Sequence, residues 1–158
     1  MRKQKGFSLI ELLIVVAIIL IIASIAIPNL LRARMSANEA SAVGAVRTLN
    51  TAQISYNSAY PSTGYAATLG ALGGIACTPP SPAGACLIDT QLASGTKNGY
   101  TFTLSGVTGT PAATYEILAA PTVPNQTGVR YFCSFADAVV RSSESGVTNC
   151  DASVTPLQ

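Results

Sequence analysis

Histidine and tryptophan are absent from the 158 residues, and Asp, Glu, Lys and Arg together supply only 10% of them. The first absence removes the commonest general base and the commonest metal ligand. The many Ser and Thr residues therefore have no imidazole to activate them. An enzyme is not the expected class, and neither a cofactor nor a metal is called for. Scarce charge, with a net value of +2, excludes the clustered basic face of a nucleic-acid binder. Aromatic residues reach only 6%, too few for a continuous stack of rings through a polymer. Aliphatic side chains are plentiful and unevenly placed. The hydrophobic share of 49% is ordinary for a globular chain, but much of it lies between Leu9 and Leu31.

From Leu12 to Ile27 the chain reads "LLIVVAIILIIASIAI", with Ser24 as its one polar side chain. Adding Phe7 to Glu11 brings the run to the roughly 20 residues that cross a bilayer as a helix. Arg2, Lys3 and Lys5 precede it, and Arg32 and Arg34 follow Pro28. The dense N-terminal cluster favours a cytoplasmic N-terminus and export of everything beyond the run. A cleavable secretory signal has the same general form. Here the apolar run is longer than a typical signal core, and "ASIAIPNLL" isolates no small-x-small cleavage site. Glu11 stands inside this hydrocarbon. It either reaches the headgroups from near the segment's end, or forms half of a pair, since at the bilayer centre its charge costs about 2 to 4 kcal/mol. Physics alone leaves both open.

The stretch "KGFSLIELLIVVAIILIIASIAIPNLL" (Lys5 to Leu31) resembles the N-terminus of type IV pilins and of the related type II secretion pseudopilins. The shared features are a short basic leader ending in Gly6, then Phe7, Glu11 and Pro28. The resemblance implies cleavage by a prepilin peptidase between Gly6 and Phe7, with N-methylation of the new terminus. It divides the chain into a leader (1–6), a transmembrane and assembly helix (7–29) and an exported body (30–158). It also implies that Glu11 pairs with the Phe7 amine of a neighbouring copy and so sets register in a helical homopolymer. The implied partners are other copies of the chain, the peptidase, the inner-membrane assembly machinery and, before assembly, membrane lipid. The implied location is first the inner membrane and then an extracellular filament. One position departs from the pattern. Many type IV pilins carry glycine midway along the stem, where this chain has Leu20. Leucine favours helix by nearly 1 kcal/mol over glycine, so local melting is less favoured here. Pro28 still removes a backbone donor, and a kink or a break is expected there.

Beyond Pro28, Val43, Val46, Leu49, Tyr56 and Tyr60 recur at helical spacing, interrupted by Gln53 and weakened at Gly44. Pro61 disfavours helical geometry at Tyr60. The expectation is one long helix from about Ser8 to Tyr60, with Tyr56 and Tyr60 packing it against a sheet. Residues 62–98 read as an irregular connector, punctuated by Gly73-Gly74 and Pro79-Pro80. Alternation in "GYTFTLSG", "ATYEILAAP" and "GVRYFCSF", with a weaker "DAVVRSS", predicts strands over 99–106, 113–121, 128–135 and 137–143. The fold class is α+β: a long N-terminal helix packed on a C-terminal antiparallel meander. The pilin resemblance implies the same plan.

Cysteines stand at Cys77, Cys86, Cys133 and Cys150, allowing three pairings. Export would place them where disulfides persist. Joining Cys77 to Cys86 and Cys133 to Cys150 closes the shortest loops, and the second bridge resembles the C-terminal disulfide loop of many type IV pilins. A zinc site is the rival, but no C-x-x-C pair occurs. Asp137, Glu144 and Asp151 match no calcium loop and read as solvated charge. Asn125 begins a formal glycosylation sequon, "NQT", a tripeptide common by chance. The leading function is a filament subunit of the type IV pilin kind. A type II pseudopilin is the variant. A single-pass anchored binding protein that never polymerises is the different class, and it would need neither the cleavage glycine nor the buried acid.

Overall fold

The computed structural model describes residues 7–74 and 78–157. In chain order they form a long helix α1 (Leu9–Ala59), two one-turn helices α2 (Leu69–Leu72) and α3 (Thr90–Ala93), and five strands. These are β1 (Thr96–Lys97), β2 (Tyr100–Gly109), β3 (Ala112–Pro121), β4 (Tyr131–Phe135) and β5 (Arg141–Ser143). The chain divides into two compact units, one ending at Arg34 and the other beginning at Met35.

The first unit is the apolar part of α1, and its large apolar side chains are exposed among the described residues. Phe7 is 84% exposed and Leu20 63%. Among the described residues, α1 is the one helix long and apolar enough to cross a membrane. It runs through Pro28 without interruption, so the break expected there does not occur. Proline withdraws a single donor, and a helix already nucleated on both sides absorbs the loss of one bond.

The second unit is two-layered. The later turns of α1 bury Ala42, Ala45, Val46, Leu49, Ala52 and Tyr56 in one cluster with Tyr100, Phe102, Tyr115, Ile117 and Phe132 of the sheet. Three alanines on the buried face let the sheet come close, and the larger residues fill what remains. The five strands pair in sequence order, each antiparallel to the next. Their register sets Phe102 opposite Ala119, Ile117 opposite Ser134 and Cys133 opposite Arg141. Alternation then divides the side chains. Phe102, Ile117, Phe132 and Ser134 face α1, while Thr103, Leu118 and Cys133 belong to the far face.

The connector holds more order than its composition suggests. Thr68 Oγ1 accepts from the Ala71 N–H at 3.2 Å and Asp89 Oδ1 from the Leu92 N–H at 2.7 Å, so each one-turn helix has its N-cap. Leu69, Leu72 and Leu92 are buried and fix these turns to the core. β4 starts at Tyr131, later than the alternation suggests, because the segment before it is held to α1. β5 starts only at Arg141, because the turn before it places Ala138 at a φ of 59°. Past the disulfide, the chain returns to the sheet. The Ser142 N–H donates to Thr155 O and the Leu157 N–H to Val140 O, both at 2.9 Å, and Pro156 lies opposite Arg141.

Candidate assembly site

Helix α1 starts with "SLIE" (Ser8 to Glu11), and its opening turn is closed from both sides. The Leu12 N–H donates to Ser8 O at 3.3 Å, and Glu11 Oε2 accepts the Ser8 N–H at 2.9 Å. This is the backward half of a capping box, in which a glutamate three residues into the helix satisfies an orphan donor at its start. The S-x-x-E spacing is the sequence signal for it, and attention to Glu11 as a charge passes over it. The carboxylate also complements the positive end of the helix dipole. Glu11 thus stays exposed, one turn from Phe7, with Oε1 free of any hydrogen bond among the described residues. Around it Leu9, Ile10, Leu12 and Leu13 are all 60% or more exposed. The arrangement is an uncovered hydrocarbon surface carrying one oriented carboxylate. Gly6, the proposed processing residue, lies outside the described residues. Pro28 lies within the same exposed helix.

Further along α1, polar side chains on the buried face grip loops of the body. Glu39 Oε1 accepts the N–H groups of Val129 and Arg130 at 2.9 and 3.1 Å, and its Oε2 accepts Arg130 Nε at 2.8 Å. Burial pushes this carboxyl up, but the two backbone donors and the guanidinium outweigh it and hold Glu39 below the ordinary value. Asn38 Nδ2 donates to Thr127 O at 2.8 Å, and Asn98 Nδ2 donates to Ser41 Oγ at 2.7 Å. Asn50 Nδ2 donates to Ser134 Oγ at 2.9 Å and its Oδ1 accepts from Tyr115 Oη at 3.2 Å. Gln53, which looks in the sequence like a flaw in the apolar stripe, is fully buried. It makes an amide pair with Ala66, donating at 3.0 Å and accepting at 2.8 Å. Tyr56 Oη donates to Pro82 O at 2.7 Å, and its ring lies 4.9 Å from that of Tyr60. These residues convert one helix face into an anchor for four loops.

The tail is fastened to the sheet face away from α1. Cys133 and Cys150 are bridged with Cα atoms 5.8 Å apart. Cys86 is also disulfide-bonded, and Cys77, the partner expected for it, lies outside the described residues. Glu116 Oε2 accepts the Cys150 N–H at 3.1 Å. Arg141 is buried beneath this tail, donating to both carboxylate oxygens of Asp137 at 3.1 and 2.6 Å, with its guanidinium 4.3 Å above the Phe135 ring. Asp137 is therefore committed to an ion pair, and Asp151 accepts from the Ser153 N–H at 2.8 Å. Asn125 sits in a turn at a φ of 64°. Among the described residues, no group of three or more His, Cys, Asp or Glu side chains converges as a metal site would require.

Residues 1–27 match the family described as the prokaryotic N-terminal methylation motif. The chain is 67% identical over 39 residues to the type IV wide pilus major component PilA4 of Thermus thermophilus, covering 25% of this chain and 30% of that protein. It is 37% identical over 84 residues to type II secretion system core protein G of Dickeya chrysanthemi, covering 51% of this chain and 54% of that one. To the type IV major pilin protein PilA of Myxococcus xanthus it is 46% identical over 54 residues, 34% of this chain and 24% of that protein. Over these lengths the chain is related to type IV pilins and to pseudopilins. It spans between about a quarter and a little over half of the relatives' own lengths. No solved structure matches it at a significant level.

Proposed function

We propose that this chain is the structural subunit of a type IV pilus-like filament, made as a prepilin, cleaved after Gly6 and assembled through α1. One observation carries the reading. The membrane-length apolar stretch of α1 is exposed among the described residues, and Glu11 sits in its first turn, one turn from Phe7. In lipid that surface is solvated by acyl chains, and in a filament it is solvated by the same surface on other copies. Glu11 then meets the Phe7 amine of a neighbour, and a carboxylate that hydrocarbon penalises becomes half of a neutral pair. The role is structural, with the membrane as the store and the extracellular filament as the product. The methylation motif supports processing by a prepilin peptidase and disfavours a mere membrane anchor.

A pseudopilin role in type II secretion is the second reading, favoured by the longer stretch shared with core protein G, 84 residues against 39 for PilA4. Deleting the gene separates the two. Loss of surface fibres seen by electron microscopy, with exoprotein release intact, is expected for the pilin. Retained exoproteins with surface fibres unchanged would assign the chain to secretion.

A further inference from the structure

Two charged positions bracket the apolar stretch of α1, and the interval between them matches a bilayer. From Leu12 to Leu31, between Glu11 and Arg32, twenty residues pass without a charge. At 1.5 Å per residue a helix of that length rises about 30 Å, the thickness of the hydrocarbon core of an ordinary bilayer. The run of exposed apolar side chains ends with Leu30 and Leu31. Arg32 and Arg34 follow at once and are exposed, and the first compact unit closes at Arg34.

The two arginines stand two residues apart, so they leave the helix about 200° apart, on nearly opposite sides. That spacing does more than one cation could. If the helix tilts, one guanidinium is driven toward hydrocarbon as the other lifts away from it, so headgroup contacts on both sides hold α1 near the bilayer normal. An upright helix uses its full length, and the other end of the interval is then fixed as well. Glu11 falls at the opposite interface. Its carboxylate reaches further still, because Oε2 accepts the Ser8 N–H at 2.9 Å. Ser8 lies three residues nearer the terminus, about 4.5 Å along the axis. The hydrogen bond that closes the first turn therefore also aims the charge out of the hydrocarbon.

We infer that Arg32 and Arg34 bind the lipid headgroup phosphates of the leaflet on the body's side, and that this contact sets the depth of α1, holding Glu11 at the opposite headgroup level in the stored subunit. Guanidinium suits the task, since its planar fork meets a phosphate with two parallel N–H bonds while its apolar stem lies against acyl chains. The store then keeps the carboxylate in contact with water. The penalty for a charge inside hydrocarbon arises only when the helix moves into a polymer, where a neighbour's amine can meet it. The inference rests on the membrane-store part of the proposed function, and adds the ligand and the two residues that take it.

The test uses the full chain in vesicles of phosphatidylethanolamine and phosphatidylglycerol in equal amounts. The arginine guanidinium carbons carry a heavy-carbon label, Arg2→Lys removes the leader's signal, and solid-state NMR measures how strongly lipid phosphorus dephases the label. Lysine keeps the charge but carries no label. Combining Arg32→Lys with Arg34→Lys should therefore lower the dephasing roughly threefold or more, while Arg47→Lys leaves it unchanged. For depth, the glutamate carboxyl carbons carry the label and a water-soluble paramagnetic chelate is placed on both sides of the bilayer. The Glu11 signal, identified by its loss in Glu11→Gln, should broaden at least roughly half as much as that of Glu144, which is exposed in the body. Dephasing that survives the double lysine variant, or is missing from inserted chains, would overturn the phosphate contact. A Glu11 signal untouched by the chelate would overturn the depth it sets. Chains that alkaline carbonate strips from the vesicles would instead remove the membrane-store reading itself.

Discussion

Glu11 has one carboxylate and two calls upon it: the Ser8 N–H of its own helix and, in the proposed filament, the terminal amine of a neighbour. The two can be separated, because glutamine keeps an acceptor oxygen for the cap and loses the charge. If capping were the whole role, Glu11→Gln would assemble normally. The pairing predicts that Glu11→Gln and Glu11→Ala both fail, since breaking a buried ion pair from one side costs roughly 3 to 5 kcal/mol. Filament yield per membrane-inserted subunit is the measurement, and normal filaments from the glutamine variant would return Glu11 to a capping role. Glu39 offers a different test. Its carboxyl is held below the ordinary glutamate value, so the clasp on Val129 and Arg130 contributes fully above that ordinary value and is lost as pH falls through the lower folded one. Glu39→Gln should therefore be less stable than the unsubstituted protein by about 1 to 3 kcal/mol at neutral pH. That gap should close in acid, as followed by thermal unfolding in detergent from pH 7 to pH 3. A gap independent of pH would show that the charge is not what holds the loop. Neither clasp could be read in the sequence. Glu39 and Gln53 sit at core positions, and a polar residue there looks like an interruption until the loop backbone it satisfies is known.

At the scale of elements, the sequence was most legible where one period persists. The long helix from Leu9 to Ala59 and strands β2 and β3 follow from spacing, because burial on a single face imposes it. The one-turn helices α2 and α3 were hidden, since four residues cannot display a period. Their signals are the caps at Thr68 and Asp89. The persistence of α1 through Pro28 is also beyond propensity arguments, which weigh the proline and not the turns around it. The disulfide loop carries its own prediction. Bridging Cys133 to Cys150 closes a loop of 17 residues, for which loop-closure entropy gives about 3 kcal/mol. Replacing both with serine should lower stability by about that amount and open residues 144–149 to protease, with membrane insertion unchanged. Limited proteolysis with peptide mapping reads it, and an unchanged cleavage pattern would mean that β5 and residues 155–157 hold the tail without the bridge.

For the molecule as a whole, the proposed processing would come before every later step. Gly6→Glu should block removal of the leader, leaving inserted subunits that still carry Met1 to Gly6 and form no filament. Mass spectrometry of the intact protein checks this, and filaments built from uncleaved chains would defeat the prepilin reading. In the proposed membrane store, crowding would raise a separate hazard, because sheets with open edges zip together. Here one side ends in β1, two residues long and bearing Lys97, with the rest of β2 running past it, and beyond β5 the outermost described segment is 155–157. Thr155 and Leu157 spend their backbone bonds inward on β5, so the outward-facing position belongs to Pro156, which has no N–H to offer. On the filament reading, subunits waiting side by side would find this edge closed to sheet extension, which would leave polymerisation to the helix.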